Sequence, residues 1–600
     1  MTCPTTNITG TPTLYLSSSG QPLVSAMTTL REVFFAALRS LLKGKSFLQA
    51  LFTFWINPEI IKGTGPESIS QGSKVYPKPG RTTDDFLREA EKLLLQPIRG
   101  DGLDEFSLKL KAQFKEGLLS DPTCMLPSYN HQLPSRSESG RYLALDVGGS
   151  TLRVALVELR GREAQGSESH IVRQQTFKID RAVKNLEGRA FFDWMAQRIV
   201  DTVSKDLDTG KSPENPLLMG LAWSFPIEQT SHKGGKLQGM GKGFLAANGL
   251  LGQDLGDIIK TACQARDLHV ELAAIVNDSA AALLSQAYLN SSTRFGLILG
   301  TGVNIAVHLP VPTIGRDKFG NRPSDWFEKA SHVIVNTELG MFGKGILPRT
   351  RWDRALNAAH PKPDFQPLEQ LVSGFYLGEM CRLALVEAID TTDLLGGVVP
   401  PSLLLPYSLD TETISLIEAD TSPSLEFSLA TFKSRHPSPV EPTAADIAFI
   451  RSLASYISRR SSAIVAASIF ALWRFKNEAE TEYLASPTSP TTSSSSSSSQ
   501  QPLNYPPHSQ TAARGELDLQ EHVVAFNGSV MEQYPLYLQN CQDYLDQLVA
   551  SSSSPLSSPS IHDHDAGVIE TPTIRLVGAK ESSLLGAAVA LACLEEGKAN

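Results

Sequence analysis

The feature that most constrains the fold is a glycine-rich turn between two β-rich runs. Apolar and β-branched residues dominate 141–147 and 152–157, and the turn at 148–151 reads Gly-Gly-Ser-Thr. Glycine permits positive φ and close approach of a ligand to the backbone, and successive turn amides form a concave anion site. Asp146 adds a carboxylate that suits a hydrated Mg²⁺ travelling with a nucleotide. An ordinary hairpin is the competing interpretation of this stretch alone.

The same pattern returns further along the chain. Residues 295–307 again form strand, turn and strand, with Gly-Thr-Gly at 300–302, and the strand at 523–527 runs into Gly-Ser at 528–529. Two such hairpins in different halves of the chain would hold one phosphate chain from both sides.

Length and composition narrow the class of protein. Six hundred residues exceed what one core accommodates, so two or more domains are expected. The net charge of −9 argues against nucleic acid as a main partner. The six cysteines lie far apart without a CxxC pair, which predicts a reducing compartment with neither a disulfide framework nor a zinc site.

Several segments lie outside the main pattern. Residues 1–26 carry no charged side chain and are predicted to be disordered. Residues 27–57 combine a basic amphipathic helix with an apolar run well short of the ~20 residues that span a bilayer. They suit a membrane surface or a partner groove, and equally a helix packed on the domain. The serine-rich stretches 486–516 and 551–568 are predicted to be disordered inserts, and 444–475 a long helix.

Polar residues follow several predicted strands at their ends. Ser224 follows the strand 216–223, and Asn277-Asp278 follows the strand 269–276. Asp278 is either a helix N-cap or a general base that takes a proton from a substrate hydroxyl. Lys242, in a glycine-rich loop, would bring a cation to an anionic ligand or is a solvated loop lysine.

In this order the motifs resemble the eukaryotic hexokinase family, and most closely the atypical hexokinase-like proteins of filamentous fungi. The resemblance runs from about residue 84 to 595. The matching motifs are 145–153, Ser224-Phe225-Pro226, Gly241-Lys242-Gly243-Phe244, Asn277-Asp278, 299–304, Asn336-Thr337-Glu338, and Gln366 with Glu369.

The resemblance implies an α/β fold of the actin-like ATPase (ribonuclease-H-like) type, with a cleft between a small and a large domain that closes over hexose and MgATP. The expected organisation is an N-terminal extension (1–80), a small-domain region (81–277) and a large-domain region (278–595).

The resemblance also implies a role for each site residue. Asp278 would take the proton from the sugar 6-hydroxyl as it attacks the γ-phosphate of ATP. The implied sugar ligands are Ser224, Phe225, Lys242, Asn277, Asn304, Glu338, Gln366 and Glu369. The implied nucleotide ligands are Asp146, Gly148, Gly149, Ser150, Thr151, Arg153, Gly300, Thr301, Gly302, Gly528 and Ser529. No residue is expected to bind Mg²⁺ directly; the ion arrives with ATP, near Asp146.

Some positions depart from the family pattern. Gly241 and Ala282 lack hydroxyls that the family uses, which predicts a loss of about two to four powers of ten in rate. Leu584 replaces a glycine of the adenosine loop and is expected to obstruct the adenine. Four further replacements are Thr151, Met240, Leu339 and Asn527.

The expected function is ATP-dependent phosphorylation of a hexose such as glucose at the 6-hydroxyl, by a cytoplasmic monomer. The resemblance further implies docking on the mitochondrial outer membrane through residues 27–57. The alternative is a catalytically weak or inactive sugar sensor that regulates the carbon-starvation response and extracellular protease production. An actin-like ATPase unrelated to sugar is the third hypothesis, and the sugar motifs argue against it.

Overall fold

The computed structural model describes residues 80–203, 212–241, 243–485, 509–552 and 572–599. The basic segment 27–57, Lys242 and most of both serine-rich inserts lie outside these ranges, so the predictions for them stay predictions.

Strands and helices alternate along much of the chain. In chain order, the strands are β1 (Leu126–Pro127), β2 (Ser139–Val147), β3 (Thr151–Arg160), β4 (Ser169–Lys178), β5 (Leu217–Trp223), β6 (Ile227–Gln229), β7 (Gly235–Leu237), β8 (Val270–Val276), β9 (Thr293–Leu299), β10 (Val303–Pro310), β11 (His332–Asn336), β12 (Glu521–Asn527) and β13 (Thr573–Gly578). The α-helices are α1 (Thr83–Leu95), α2 (Gly102–Ser120), α3 (Arg181–Lys184), α4 (Arg189–Val203), α5 (Leu255–Gln264), α6 (Asp278–Leu289), α7 (Ser324–Lys329), α8 (Arg351–Ala359), α9 (Glu369–Val372), α10 (Gly374–Thr391), α11 (Thr411–Ala419), α12 (Glu426–Arg435), α13 (Ala444–Ala485), α14 (Ser509–Leu517), α15 (Ser529–Gln533), α16 (Tyr537–Ser552) and α17 (Ser582–Ala599). Short 3₁₀ helices occupy Gln96–Ile98, Val311–Thr313, Arg316–Phe319, Leu339–Met341, Leu394–Gly397 and Pro401–Leu404.

Two mixed sheets share one topology. The smaller sheet has the order β4-β3-β2-β5-β8, in which β2, β5 and β8 run parallel and the two hairpin pairs are antiparallel. The larger sheet has the order β1-β11-β10-β9-β12-β13, and its last five strands repeat that arrangement. The turn at 148–150 and the turn at 300–302 therefore occupy equivalent places in the two sheets.

Two helices, α6 and α17, pack between the sheets, and glycines allow the close approach. A Cβ on Gly220 of β5 would lie 2.2 Å from the Ala587 carbonyl oxygen of α17. A Cβ on Gly296 of β9 would lie 2.2 Å from the Ser279 carbonyl oxygen of α6. No side chain fits at either position, so these contacts fix how closely each helix lies on its strand.

The helices near each end of the described chain pack on the sheet built mainly from the other half of the chain. The division predicted at residues 277 and 278 stays a prediction. The helices α1 and α2 contribute Phe86 and Phe114 to the core that covers the larger sheet, together with Leu297. The C-terminal helix α17 instead contributes Leu591 to a core shared with Ala144 of the smaller sheet. The apolar faces of these helices, not their order in the chain, decide which sheet they cover.

The long helix is longer than predicted, and the first insert is shorter. The helix α13 continues to Ala485. Residues 509–516, predicted as insert, lie in α14, because Glu516 pairs with the fully buried Lys476 of α13 at 2.8 Å and with Arg294 at 2.5 Å. At the second insert, 551–552 still belong to α16.

Two helices follow each other closely after Gln366. The helix α9 ends at Val372, and α10 begins again at Gly374 and runs to Thr391. The interruption lies at Ser373, whose backbone is extended. It brings the amide of Gly374 within 2.8 Å of the Gly300 carbonyl oxygen.

Two properties of the described residues bear on the sequence expectations. The five cysteines in the described part of the chain are buried and form no disulfide bond. No helix in this part of the chain is both long and apolar enough to cross a bilayer.

Candidate active site

Three parallel strands of the smaller sheet end at one edge, and the predicted site residues follow them. Asp146 of β2 lies opposite Ala222 of β5, which in turn lies opposite Val276 of β8. The Ser224 amide, just past β5, lies 3.4 Å from the Val147 carbonyl oxygen. The carboxyl ends of parallel strands are where ligands bind in such sheets.

The first glycine-rich turn leaves room in front of its backbone. The Gly148 amide donates to the Thr151 carbonyl oxygen at 3.0 Å. Neither Gly148 nor Gly149 has positive φ, so the turn conformation itself does not need glycine. A Cβ on Gly148 would make only an ordinary contact, 3.6 Å from that same carbonyl oxygen. Glycine at this position keeps open the space that a ligand would use to reach the amides.

Arg153 is held between two carboxylates. Its Nε donates to Asp146 Oδ2 at 2.8 Å, and its Nη1 donates to Glu581 Oε2 at 2.9 Å. Burial raises the pKa of Asp146, and the neighbouring Arg153 opposes that rise. Sequence reasoning missed Glu581, because only the packing of α17 on the smaller sheet brings it to this edge.

Asn277, not Asp278, caps helix α6. Asn277 Oδ1 accepts a hydrogen bond from the Ala280 amide at 2.8 Å. Its Nδ2 is buried and has no hydrogen-bond partner in the described part of the chain. Asp278 is the first helical residue, half-buried, and its Oδ1 accepts from the Ser279 amide at 2.9 Å. The N-cap interpretation of Asp278 is therefore wrong.

A chain of amides leads from the larger sheet to a second carboxylate. Asn304 Nδ2 donates to Asn336 Oδ1, and Asn336 Nδ2 donates to Glu338 Oε1, both at 2.6 Å. Burial raises the pKa of Glu338, the bond from Asn336 opposes the rise, and the charge of Asp278 adds to it. The structure thus brings Glu338 and Asp278 close enough for their charges to interact.

Glu369 and Gln366 lie beside the second glycine-rich turn. Glu369 Oε2 accepts from the Val303 amide at 3.0 Å, and a Cβ on Gly302 would lie only 2.7 Å from that oxygen. A Cβ on Gly340 would lie 3.2 Å from Glu369 Cβ and 3.5 Å from Gln366 Cβ. Both side chains are therefore held against the segment that follows Glu338.

The Gly-Ser pair after β12 meets the same turn. Gly528 has φ of +126°, and a Cβ there would lie 2.4 Å from the Leu299 carbonyl oxygen. A Cβ on Gly300 would lie 3.6 Å from the Ser529 amide nitrogen. Thr301 at the tip of the turn is exposed. The predicted nucleotide residues of the larger sheet are thus brought together.

Two models of the hexokinase family match this chain, over residues 95–288 and 294–593. The chain belongs to the hexokinase family. Hexokinase-2 of Candida albicans is 31% identical over 351 residues, which cover 58% of this chain and 70% of that protein. Hexokinase-1 of Saccharomyces cerevisiae is 29% identical over 399 residues, 66% of this chain and 77% of that protein.

The fold is that of the family as well. The structure of Schistosoma mansoni hexokinase in complex with glucose superposes with a TM-score of 0.62 at 23% identity, covering 86% of this chain and all of that one. The two sheets of equal topology are thus the two halves of an actin-like ATPase fold with a hexokinase arrangement.

Two departures from the hexokinase pattern, Leu584 and Ala282, are fully buried. Leu584 is fully buried in the core between the sheets, so the expectation that it obstructs the adenine is wrong. Ala282 is also fully buried, inside α6, and the loss of rate predicted from its missing hydroxyl stays a prediction. Leu584 was misjudged because a motif aligned by sequence does not show which way a side chain points.

Other predicted residues have different surroundings from those expected. Phe225 is buried between Trp223 and Phe244, with ring centroids at 5.1 and 5.0 Å, so it supports the wall of the site from behind. Gly241 has φ of +45°, a conformation that a β-branched threonine would adopt only with strain. Lys242 itself lies outside the described residues.

Proposed function

We propose that this protein transfers the γ-phosphate of ATP to the 6-hydroxyl of a hexose such as glucose. The observation that carries the proposal is the set of polar groups held in place at the strand ends: the buried Asn277 Nδ2, unpartnered among the described residues and next to Asp278, and Glu338 at the end of the Asn304–Asn336 hydrogen-bond chain. One carboxylate then serves as the base and the other as a sugar ligand.

Asp278 is the proposed general base. The sugar oxygen forms a bond to the γ-phosphorus, the bond from that phosphorus to the bridging oxygen of ADP breaks, and the hydroxyl proton passes to Asp278. The position of Asp278 at the first turn of α6, directly after β8, ties the carboxylate to a rigid element. Such placement is what general-base catalysis requires.

The remaining polar groups are proposed to hold the sugar. Asn277 Nδ2 is a buried donor whose missing partner a sugar hydroxyl would supply. Glu338 and Glu369 would accept hydrogen bonds from other hydroxyls, and Asn304 would be oriented toward the sugar by its bond to Asn336. Contacts fixed in advance, in a partly buried site, stabilise the transition state more than contacts made in water.

The glycine-rich turns are proposed to hold the nucleotide. Backbone amides of 148–151 and 300–302 would bind phosphate oxygens from opposite sides, together with Ser529. Mg²⁺ arrives with ATP and neutralises phosphate charge. Asp146, which accepts from Arg153 Nε at 2.8 Å, would meet the hydrated ion. Arg153 would then contact phosphate with the N–H groups that are not bonded to Asp146 or Glu581.

The test is ADP formation by the purified full chain with ATP and Mg²⁺, with and without glucose. Glucose-dependent ADP release with matching glucose phosphate supports the kinase. Glucose binding without ADP release supports the sugar-sensor alternative, and ADP release that does not depend on sugar contradicts both.

We further propose that residues 27–57 dock the protein on the mitochondrial outer membrane, on the evidence of their basic amphipathic sequence alone. The test is fractionation of cells that express either the full chain or a variant that lacks residues 1–57. We expect the full chain, but not the variant, in the mitochondrial fraction. The same distribution for both proteins would contradict the proposal.

A further inference from the structure

A groove of about 780 Å³ lies between the C-terminal end of α1 and the segment that leads into α8. Four cationic side chains line it: Lys92, Arg349, Arg351 and Arg354. None of its lining residues, all of them described, is an aspartate or glutamate. On a chain with a net charge of −9, such a concave surface is unusual.

Neighbouring carboxylates neutralise two of the four cations. Arg349 Nη1 pairs with Asp364 at 3.3 Å. Arg351 pairs with Glu387 at 2.6 Å and with Glu89 at 2.8 Å. Both of these glutamates also face Arg81, so two arginines balance two carboxylates.

The other two cations remain unbalanced. Lys92 and Arg354 are exposed, and no carboxylate in the described part of the chain pairs with either. Arg354 Nη1 donates to the Arg349 carbonyl oxygen at 2.9 Å, which fixes the guanidinium without cancelling its charge. The groove therefore carries an excess of two positive charges.

A neighbouring groove shows that this imbalance is not general. It has a volume of about 900 Å³. Its lining includes three arginines, Arg99, Arg459 and Arg474, and three aspartates, Asp101, Asp104 and Asp543. Equal numbers of opposite charges give that surface no preference for an anion, whereas the groove at Lys92 has one.

We propose that the groove at Lys92 binds a small phosphate monoester. A phosphate dianion matches the excess of two charges, and a guanidinium binds two phosphate oxygens at once. The organic part would lie on the apolar residues of the lining, which are Leu93, Pro97, Leu347 and Pro348. The volume lies within the range of pockets that enclose small molecules.

The test is calorimetry on the full chain, with glycerol 3-phosphate, inorganic phosphate and a phosphoserine peptide as probes. The variant Lys92→Ala/Arg354→Ala is compared with Lys109→Ala/Lys260→Ala, which removes the same charge at two other exposed positions. We expect the monoester to bind the wild type and the control alike and to bind the groove variant about tenfold more weakly or worse.

Each calorimetric comparison either supports or overturns the proposed phosphate site. Equal binding by the groove variant and the wild type, or no binding to the wild type, overturns the proposal. Inorganic phosphate binding as tightly as the monoester also overturns it, because the apolar wall would then contribute nothing. Tighter binding of the phosphoserine peptide, lost in the groove variant, supports the site and assigns its phosphate to a protein source. Because no arm measures turnover, the outcome is independent of the proposed kinase activity.

Discussion

At the scale of single residues, the candidate site is fixed by contacts that tolerate little change. Glu369 accepts from the Val303 amide, and Glu338 accepts from Asn336, which itself accepts from Asn304. The two carboxylates that we propose as sugar ligands are therefore positioned by the protein before binding.

Gly302→Ala should weaken hexose binding. The new Cβ would lie 2.7 Å from Glu369 Oε2, so the carboxylate must move away from the Val303 amide. We expect KM for glucose to rise by about tenfold or more, since a hydrogen bond to a charged group is worth roughly 1.5–3 kcal/mol. Steady-state kinetics measure this, with Gly515→Ala as control because a Cβ there meets nothing within 4 Å. An unchanged KM would show that Glu369 does not contact the sugar.

Hexose affinity should fall on acidification, and the fall should begin at a higher pH than the pKa of an ordinary glutamate would give. Burial raises the pKa of Glu338 above its usual 4.5, so the carboxylate gains a proton, and loses strength as an acceptor, earlier as pH falls. Glucose titrations by calorimetry between pH 7.5 and 5.0 should show weakening in the wild type and a flatter profile in Glu338→Gln. Identical profiles for the two proteins would exclude Glu338 as the titrating ligand.

At the scale of elements, the helix α13 organises the larger half of the protein. Its fully buried Arg460 pairs with Asp353 of α8 at 2.7 and 2.9 Å, and its Lys476 anchors α14 through Glu516. The sequence pattern predicted this helix over 444–475 but not its continuation to Ala485, and its ion-pair partners lie far away in the sequence. Periodicity predicts a helix but not the partners of its buried charges.

Glu418 of α11 provides a stability test of this assembly. It accepts hydrogen bonds from Ser458 of α13 at 3.2 Å and from Tyr534 at 2.8 Å, and burial raises its pKa from 4.5 to about 7. A raised pKa in the folded state gives stability that is complete below pH 4.5 and lost as pH rises through 7.

Glu418→Gln removes that titration. Relative to wild type, the variant should gain up to about 3 kcal/mol of unfolding free energy between pH 4.5 and 8. Urea unfolding at both pH values measures the gain, with Glu412→Gln, exposed on the same helix, as control. A stability difference that is the same at both pH values would contradict a raised pKa at Glu418.

At the scale of the whole molecule, local patterns predicted the parts better than their assembly. Both glycine-rich hairpins and the strand ends carrying Ser224 and Asn277 are found as predicted, because each depends on neighbours in sequence. The assignment of α17 to the smaller sheet was missed, since it rests on Gly220 lying against Ala587, more than half the chain away. Leu584 was misjudged for the same reason: its burial depends on that distant packing.

The central claim is that Asp278 takes the proton of a hexose hydroxyl during phosphoryl transfer from ATP. The most direct measurement is glucose-dependent ADP formation by the wild type and by Asp278→Asn, with glucose affinity measured for both. We predict turnover by the wild type, and in the variant a kcat lower by about two to four powers of ten with glucose binding retained. Turnover that survives the substitution, or a wild type that binds glucose and releases no ADP, would contradict it.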